Sequence, residues 1–133
     1  MSRGIRNNNP GNIRWGSAWQ GLKVDGKEQD KDFCVFIAHE YCIRAMCKIL
    51  LNYRNLYKIN TVAGIIHRWA PPSENNTVSY INHVSKELGV DADETIDISN
   101  KNVMLKLVKA IIKHENGVQP YSDEIIKKGI NLV

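Results

Sequence analysis

The sequence predicts an α+β chain, mostly α, in which an N-terminal β-hairpin region is followed by a helical bundle. Three observations lead there. The first third is crowded with turn formers, a short stretch alternates with period two, and from about His39 to the C-terminus the apolar residues recur near every 3.6 positions.

The turn formers are Asn7-Asn8-Asn9-Pro10-Gly11-Asn12, then Gly16, Gly21 and Asp25-Gly26. Asn and Gly tolerate positive φ, Pro fixes φ, and Asp-Gly between alternating segments signals a hairpin. Short strands separated by turns are therefore expected. Asp32-Phe33-Cys34-Val35-Phe36 has the alternation of a half-buried strand, with Phe33 and Val35 on one face and Cys34 and Phe36 on the other.

Five helices are expected beyond it. Ala38, Cys42, Ala45 and Ile49 line one stripe of the first. Thr61 can cap a second that carries Val62, Ile65, Ile66 and Trp69 and stops at Pro71-Pro72. Asn75 or Asn76 can cap a third with Thr77, Ile81, Val84 and Leu88 on one face, ended by Gly89. After an acidic connector from Asp91 to Asp97, Ser99 or Asn100 can start a fourth. There Met104, Val108 and Ile111 face inward and Lys106, Lys109 and Lys113 outward, with Gly117 at the end. Ser122 can cap a short last helix with Ile125, Ile126 and Ile130.

Composition sets the frame for function. At 133 residues, one domain spanning 1–133 can bury a real core without disulfides or a structural metal. No apolar run approaches the roughly 20 residues of a transmembrane helix. The basic start Met1-Ser2-Arg3-Gly4-Ile5-Arg6 is followed by no apolar stretch, so no signal peptide is read. The expectation is a protein made in the bacterial cytoplasm. Cys34, Cys42 and Cys47 have no metal-binding spacing and read as buried reduced thiols. Eighteen basic against 14 acidic residues give +4, compatible with an anionic partner without naming one. Arg3, Arg6 and Arg14 are scattered and form no DNA-reading motif, so no nucleic-acid partner is expected.

One residue stands out. Following the apolar stripe of the fourth helix one turn past Ile111 leads to Glu115, a carboxylate at the end of a buried stripe. Desolvation against Val108 and Ile111 and the negative end of the helix dipole would both favour its protonated form. A carboxylic acid that keeps its proton is what glycosidic-bond cleavage needs, because the leaving oxygen must be protonated as the bond breaks. A slight rotation of the helix would instead leave Glu115 as an ordinary surface residue. His114, sharing a face with Ala110 and Leu107, is a weaker candidate.

Three segments resemble phage virion and lysozyme-like proteins. Arg3-Gly-Ile-Arg-Asn-Asn-Asn-Pro-Gly-Asn-Ile-Arg14, with Trp19-Gln20-Gly21 and Asp32 to Phe36, resembles the hairpin region of phage hydrolases and, more distantly, of the glucosaminidase and lytic transglycosylase branches of the lysozyme superfamily. Arg68-Trp-Ala-Pro-Pro-Ser-Glu-Asn-Asn-Thr-Val-Ser-Tyr80 resembles the aromatic, Asn-bearing segment that lines their saccharide groove. Ala110-Ile-Ile-Lys-His-Glu-Asn-Gly117, with Gln119-Pro-Tyr-Ser122, resembles their catalytic-glutamate helix. The order differs from the wider superfamily, where the glutamate helix precedes the hairpin; a circular permutation would reconcile the two and requires the Asn8 to Asn12 turn to lie against Glu115. Cys42 stands where the phage proteins tend to carry glycine.

The resemblance implies a lysozyme-like fold and cleavage of the β-1,4 bond between N-acetylmuramic acid and N-acetylglucosamine, with Glu115 as the catalytic acid and no metal or cofactor. Asn8, Asn9 and Asn12 could hold N-acetyl and hydroxyl groups of a sugar, or serve only the backbone geometry of the turn. Trp15, Trp19, Trp69, Tyr80 and Tyr121 could stack on sugar faces, with Tyr80 placed in the groove by the resembling segment, which also offers Asn75; Gln119 accompanies Tyr121 in the third segment. A second carboxylate is not singled out among Asp25, Glu28, Asp30, Asp32 and Glu74. A lytic transglycosylase would need Glu115 alone. The alternative is a non-catalytic virion component that binds peptidoglycan or another phage protein in the same groove. The expected partner is bacterial peptidoglycan, with action at the cell wall or from within a virion, and without membrane insertion.

Overall fold

A computed structural model describes residues 1–133 as seven helices: α1 (Arg3–Arg6), α2 (Gly26–Gln29), α3 (His39–Tyr57), α4 (Val62–Trp69), α5 (Thr77–Leu88), α6 (Lys101–Asn116) and α7 (Asp123–Ile130). The five from α3 onward start where the sequence places them, and α4, α5 and α6 end before Pro71, Gly89 and Gly117 as expected. The side chains of Thr61, Asn76, Asn100 and Ser122 each accept a hydrogen bond from a backbone N–H of the first turn of α4, α5, α6 and α7. Gly89 and Gly117 close α5 and α6 in the left-handed region.

The long helix α3 lies at the centre. The sequence gives it one apolar stripe, but Cys42, Ile43, Ala45, Met46, Cys47 and Leu50 are all buried, because α7 packs on one side of it and α6 on another. Ile49 is only half-buried. A single cluster of 26 buried residues draws on α3, α4, α5, α6 and α7 and on the N-terminal segment, so helices that are individually amphipathic share one core. All three cysteines are buried free thiols; burial raises their pKa values, to about 11 for Cys34 and about 12 for Cys47. No helix is long and apolar enough to cross a membrane.

The expected N-terminal β-hairpin is absent, and with it the α+β, lysozyme-like class: the protein is helical and has no sheet. Between Arg14 and Phe36 only two isolated antiparallel bridges form, Arg14 with Phe33 and Leu22 with Phe36. Asp25-Gly26 does not make a hairpin turn but opens the one-turn helix α2, and Arg3 to Arg6 is helical. The alternation at Asp32 to Phe36 also misleads, since Cys34, Val35 and Phe36 are buried in succession. That segment is covered on both faces, so period two carries no inside–outside information.

Asparagine side chains take over the work of a strand ladder. Asn9 is fully buried; its Nδ2 donates to the carbonyls of Ile13 and Cys34, both at 2.9 Å, and its Oδ1 accepts from the Ile13 N–H at 2.9 Å. The Cys42 thiol also donates to that oxygen at 3.3 Å, a contact a glycine at position 42 could not make. Asn8 donates to the Phe36 carbonyl at 3.2 Å. Asn8 and Asn12 both adopt positive φ, 52° and 53°, which asparagine accepts at lower cost than most residues. The turn-forming composition thus encodes a side-chain-braced irregular segment.

Candidate active site

Glu115 sits on the last turn of α6, half-buried beyond Val108, Ile111 and Ile112, which are fully buried. Both carboxylate oxygens are engaged. Asn12 Nδ2 donates to Oε1 at 2.9 Å, and the Tyr80 hydroxyl donates to Oε2 at 2.7 Å. Residues 103 and 35 positions away in sequence therefore fix one carboxylate, which a helix-end side chain in solvent would not permit.

Asn12 reaches this place because the N-terminal segment is fastened to the end of α6. Asn116 Nδ2 donates to the carbonyls of Pro10 and Ile112, each at 2.8 Å, while the Ser2 hydroxyl donates to Asn116 Oδ1 at 2.6 Å. Gly4 permits the approach: a Cβ there would lie 2.7 Å from Asn116 Oδ1 and from Asn12 Oδ1. A second fastening is Asp30, buried, whose carboxylate accepts from Arg3 Nε and Nη2 at 2.7 Å, from Asn7 Nδ2 at 2.8 Å, and from the N–H groups of Asp32 and Phe33.

Tyr80, on α5, is 2 % exposed, and its hydroxyl bonds Glu115 where the two residues border one hollow. Burial first, and the neighbouring Glu115 carboxylate second, hold its phenol protonated far above its ordinary range, so it remains a donor. Its ring stacks on His114 with centroids 3.7 Å apart. The Nδ1 atoms of His114 and His83 lie 2.9 Å apart, and His83 Nε2 is 3.5 Å from Glu87, which also faces Lys113 at 3.5 Å. One Nδ1 must donate and the other accept, so the pair tolerates one proton between the rings and not two. Desolvation, then the charge of His83, lowers the His114 pKa. A depressed folded-state value means that the unfolded chain takes up the proton first as pH falls. The stability contributed by neutral His114 is therefore full above its ordinary value near 6.5 and is lost progressively below it. The thermal midpoint is expected to fall between about pH 7 and pH 5 for this reason, and His114→Gln to flatten that slope; an identical slope in the variant would locate its origin elsewhere.

Glu115 opens into a cleft of about 320 Å³, within the range of small-molecule sites. Asn12, Arg14 and Phe33 from the N-terminal segment, Tyr53 from α3, Trp69 from α4, and Glu74 and Asn75 from the loop before α5 line it. A second hollow of about 260 Å³ adjoins it at Glu115, between Asn75, Asn76, Tyr80 and His114. The two share Asn75 and Glu115, so a polymer laid across both would present an internal bond to the carboxylate.

The sequence candidates divide accordingly. Glu115, Asn12, Trp69 and Asn75 come together in the cleft, with Tyr80 bracing the carboxylate. Asn8 and Asn9 are spent on the backbone of the N-terminal segment. The Gln119 side chain donates to the Tyr121 carbonyl and accepts from the Tyr121 N–H, the Tyr121 ring lies 4.8 Å from that of His39, and neither residue lines the cleft. Trp15, whose Nε1 donates to the Asp30 carbonyl, and Trp19 both pack against the core. Among the acids, only Glu74 shares the cleft with Glu115; Asp30 is committed to Arg3, and Asp25, Glu28 and Asp32 lie elsewhere. Sequence reasoning missed Arg14, Phe33, Tyr53 and Asn116. The first three sit in loop and helix positions with no periodic signal toward a site, whereas Asn116, beside Glu115 in a helix-ending Asn-Gly pair, reads locally as a cap.

No family model matches the chain. It is 38 % identical over 131 residues to Protein P5 of Pseudoalteromonas phage PM2, an alignment covering 96 % of this chain and 79 % of that protein. At that identity and coverage, the chain belongs to the family of the phage PM2 Protein P5.

Proposed function

We propose that this phage-family protein is a peptidoglycan-cleaving glycosidase that cuts the β-1,4 bond between N-acetylmuramic acid and N-acetylglucosamine. The observation that carries the reading is Glu115, a carboxylate fixed by Asn12 and Tyr80 where two hollows that share Asn75 meet. The resemblance of its helix to the catalytic-glutamate helix of the lysozyme superfamily points the same way.

Glu115 would first take up a proton, with the Tyr80 hydroxyl turning from donor to acceptor beside it, and would then deliver that proton to the glycosidic oxygen as the C1–O bond breaks, the bonding pair leaving with that oxygen and positive charge developing at C1. Trp69 offers a flat apolar surface for a sugar ring, and Asn12 and Asn75 offer amide groups to its N-acetyl and hydroxyl substituents. Two completions are open to the charged sugar. Glu74, facing the same cleft, can act as the second carboxylate of a hydrolase. In a lytic transglycosylase, the Glu115 carboxylate takes the proton of the sugar's own hydroxyl as that oxygen attacks C1. Neither course calls for a metal or cofactor. Membership in a phage protein family supports delivery to the cell wall inside a virion or after release from the infected cell.

Mass spectrometry of purified peptidoglycan digested with the protein tests this directly. Reducing disaccharide products support hydrolysis, in which case their loss in Glu74→Gln would assign the second carboxylate, and anhydro-muropeptides support Glu115 acting alone. Digests indistinguishable from untreated wall would overturn the reading in favour of a non-catalytic virion component.

A further inference from the structure

We infer that Arg14 is the residue by which the cleft selects a glycan bearing a carboxylate, such as the lactyl group of muramic acid, over a neutral one. This rests on the glycan-cleft reading above and adds a specificity determinant to it.

The Phe33 ring lies between two guanidinium groups, those of Arg3 and Arg14, each 4.7 Å from its centroid. The two cations have opposite fates. Arg3 is neutralised by Asp30 at 2.7 Å and Asp32 at 3.1 Å, and it belongs to the scaffold of the N-terminal segment. Arg14 has no acidic partner: none of the ion pairs in the protein includes it, and its side chain makes no hydrogen bond to the protein. Stacking on Phe33 restricts the guanidinium plane while leaving its N–H edges free.

Its position gives that free edge a role. Arg14 is the only basic residue lining the cleft, and the other two charged residues there are the carboxylates Glu74 and Glu115. Without Arg14 the cleft would repel an anionic substrate. With it, a carboxylate can be received by two parallel N–H donors, the arrangement for which a guanidinium is best suited. A neutral N-acetylglucosamine chain gains nothing from that contact and leaves the cation with water alone. The backbone around Arg14 is held by its bridge to Phe33 and by Asn9, which binds the adjacent Ile13 on both its N–H and its C=O; the root of the side chain is thereby placed at the cleft, and its exposed guanidinium has Phe33 as its one aromatic contact.

The test is a binding measurement, independent of turnover. Calorimetric titration compares the disaccharide of N-acetylglucosamine and N-acetylmuramic acid, carrying its free lactyl carboxylate, with neutral diacetylchitobiose. The wild-type protein is expected to bind the anionic disaccharide about tenfold more tightly at low salt, with the preference shrinking as ionic strength rises. Arg14→Gln should erase the preference and its salt dependence, and Arg14→Lys should restore part of it. The inference is overturned by equal binding of the two ligands to the wild type, by an unchanged preference in Arg14→Gln, or by no measurable binding of either disaccharide. Because no cleavage is needed, an absence of digestion products would count against the glycosidase reading alone.

Discussion

Glu115→Gln is expected to abolish clearing of purified cell-wall suspensions while the protein keeps its fold and its thermal midpoint within about 2 °C. The substitution removes the transferable proton and little else. Asn12 can only donate to position 115 through its Nδ2, and the glutamine carbonyl can accept that bond. The glutamine NH₂ then faces the Tyr80 oxygen, which can accept in place of donating. Both contacts therefore survive in shape, and α6 remains capped by Gly117. General-acid assistance contributes about 10² to 10⁴ in rate, so a loss of about 10² to 10⁴ is expected, which reads as an absence of clearing over the time course of a turbidity assay. Clearing at the wild-type rate would remove Glu115 from the chemistry. A collapse of the thermal midpoint would instead show that the carboxylate serves the fold.

How far this site was legible depends on the kind of signal each residue carries. Glu115 is readable because it continues a 3.6-residue stripe through Val108 and Ile111, a pattern confined to one helix. The caps Thr61, Asn76, Asn100 and Ser122 are readable for the same local reason, since each satisfies N–H groups within three residues of itself. The bond from Tyr80 to Glu115 joins α5 to α6 and has no local signature. The segment that resembles a groove lining offers Tyr80 as a groove residue, but only the packing shows that its hydroxyl binds Glu115.

The N-terminal third fails in an instructive way. Its asparagines and glycines do mark an irregular backbone, as Asn8 and Asn12 at positive φ attest. Yet the same composition serves a hairpin turn and a side-chain-braced loop equally well. What separates them is whether alternating strands flank the turn, and here the flank Cys34-Val35-Phe36 is buried on successive residues with its N–H and C=O groups shared among the backbone of Asn7, Ile13 and Lys23 and the side chains of Asn8 and Asn9. Long-range satisfaction of backbone groups by amide side chains is invisible to periodicity.

That segment depends on Asp30, and Asp30→Ala is expected to destabilise the protein by about 3 kcal/mol in denaturant unfolding. Five donors converge on this carboxylate, two from Arg3, one from Asn7 and two from backbone N–H groups. Arg3 is half-exposed and can turn to water, so its share of the loss is modest. Asn7 is buried, and the Asp32 and Phe33 N–H groups point at the missing oxygen; stranding such donors costs more than the bonds contribute when made. The Arg3 hydrogen bonds, more than the Phe33, Asn7 and Asp32 donors, hold the Asp30 carboxyl well below the usual carboxylate range against the opposing effect of burial. Its folded-state value is depressed, so its contribution is fully present above the unfolded value near 3.9 and is lost as pH falls below it toward the folded one. The wild type should therefore lose stability faster than Asp30→Ala below about pH 4, and the two curves should converge in acid. The same variant should lose cleavage activity at neutral pH under conditions where it is still folded, because Arg3, released from Asp30, no longer anchors the helix α1 from which Ser2 and Gly4 reach Asn116 and bring Asn12 to Glu115. Full activity in a destabilised Asp30→Ala protein would show that Asn12 is held by Asn116 and Asn9 alone.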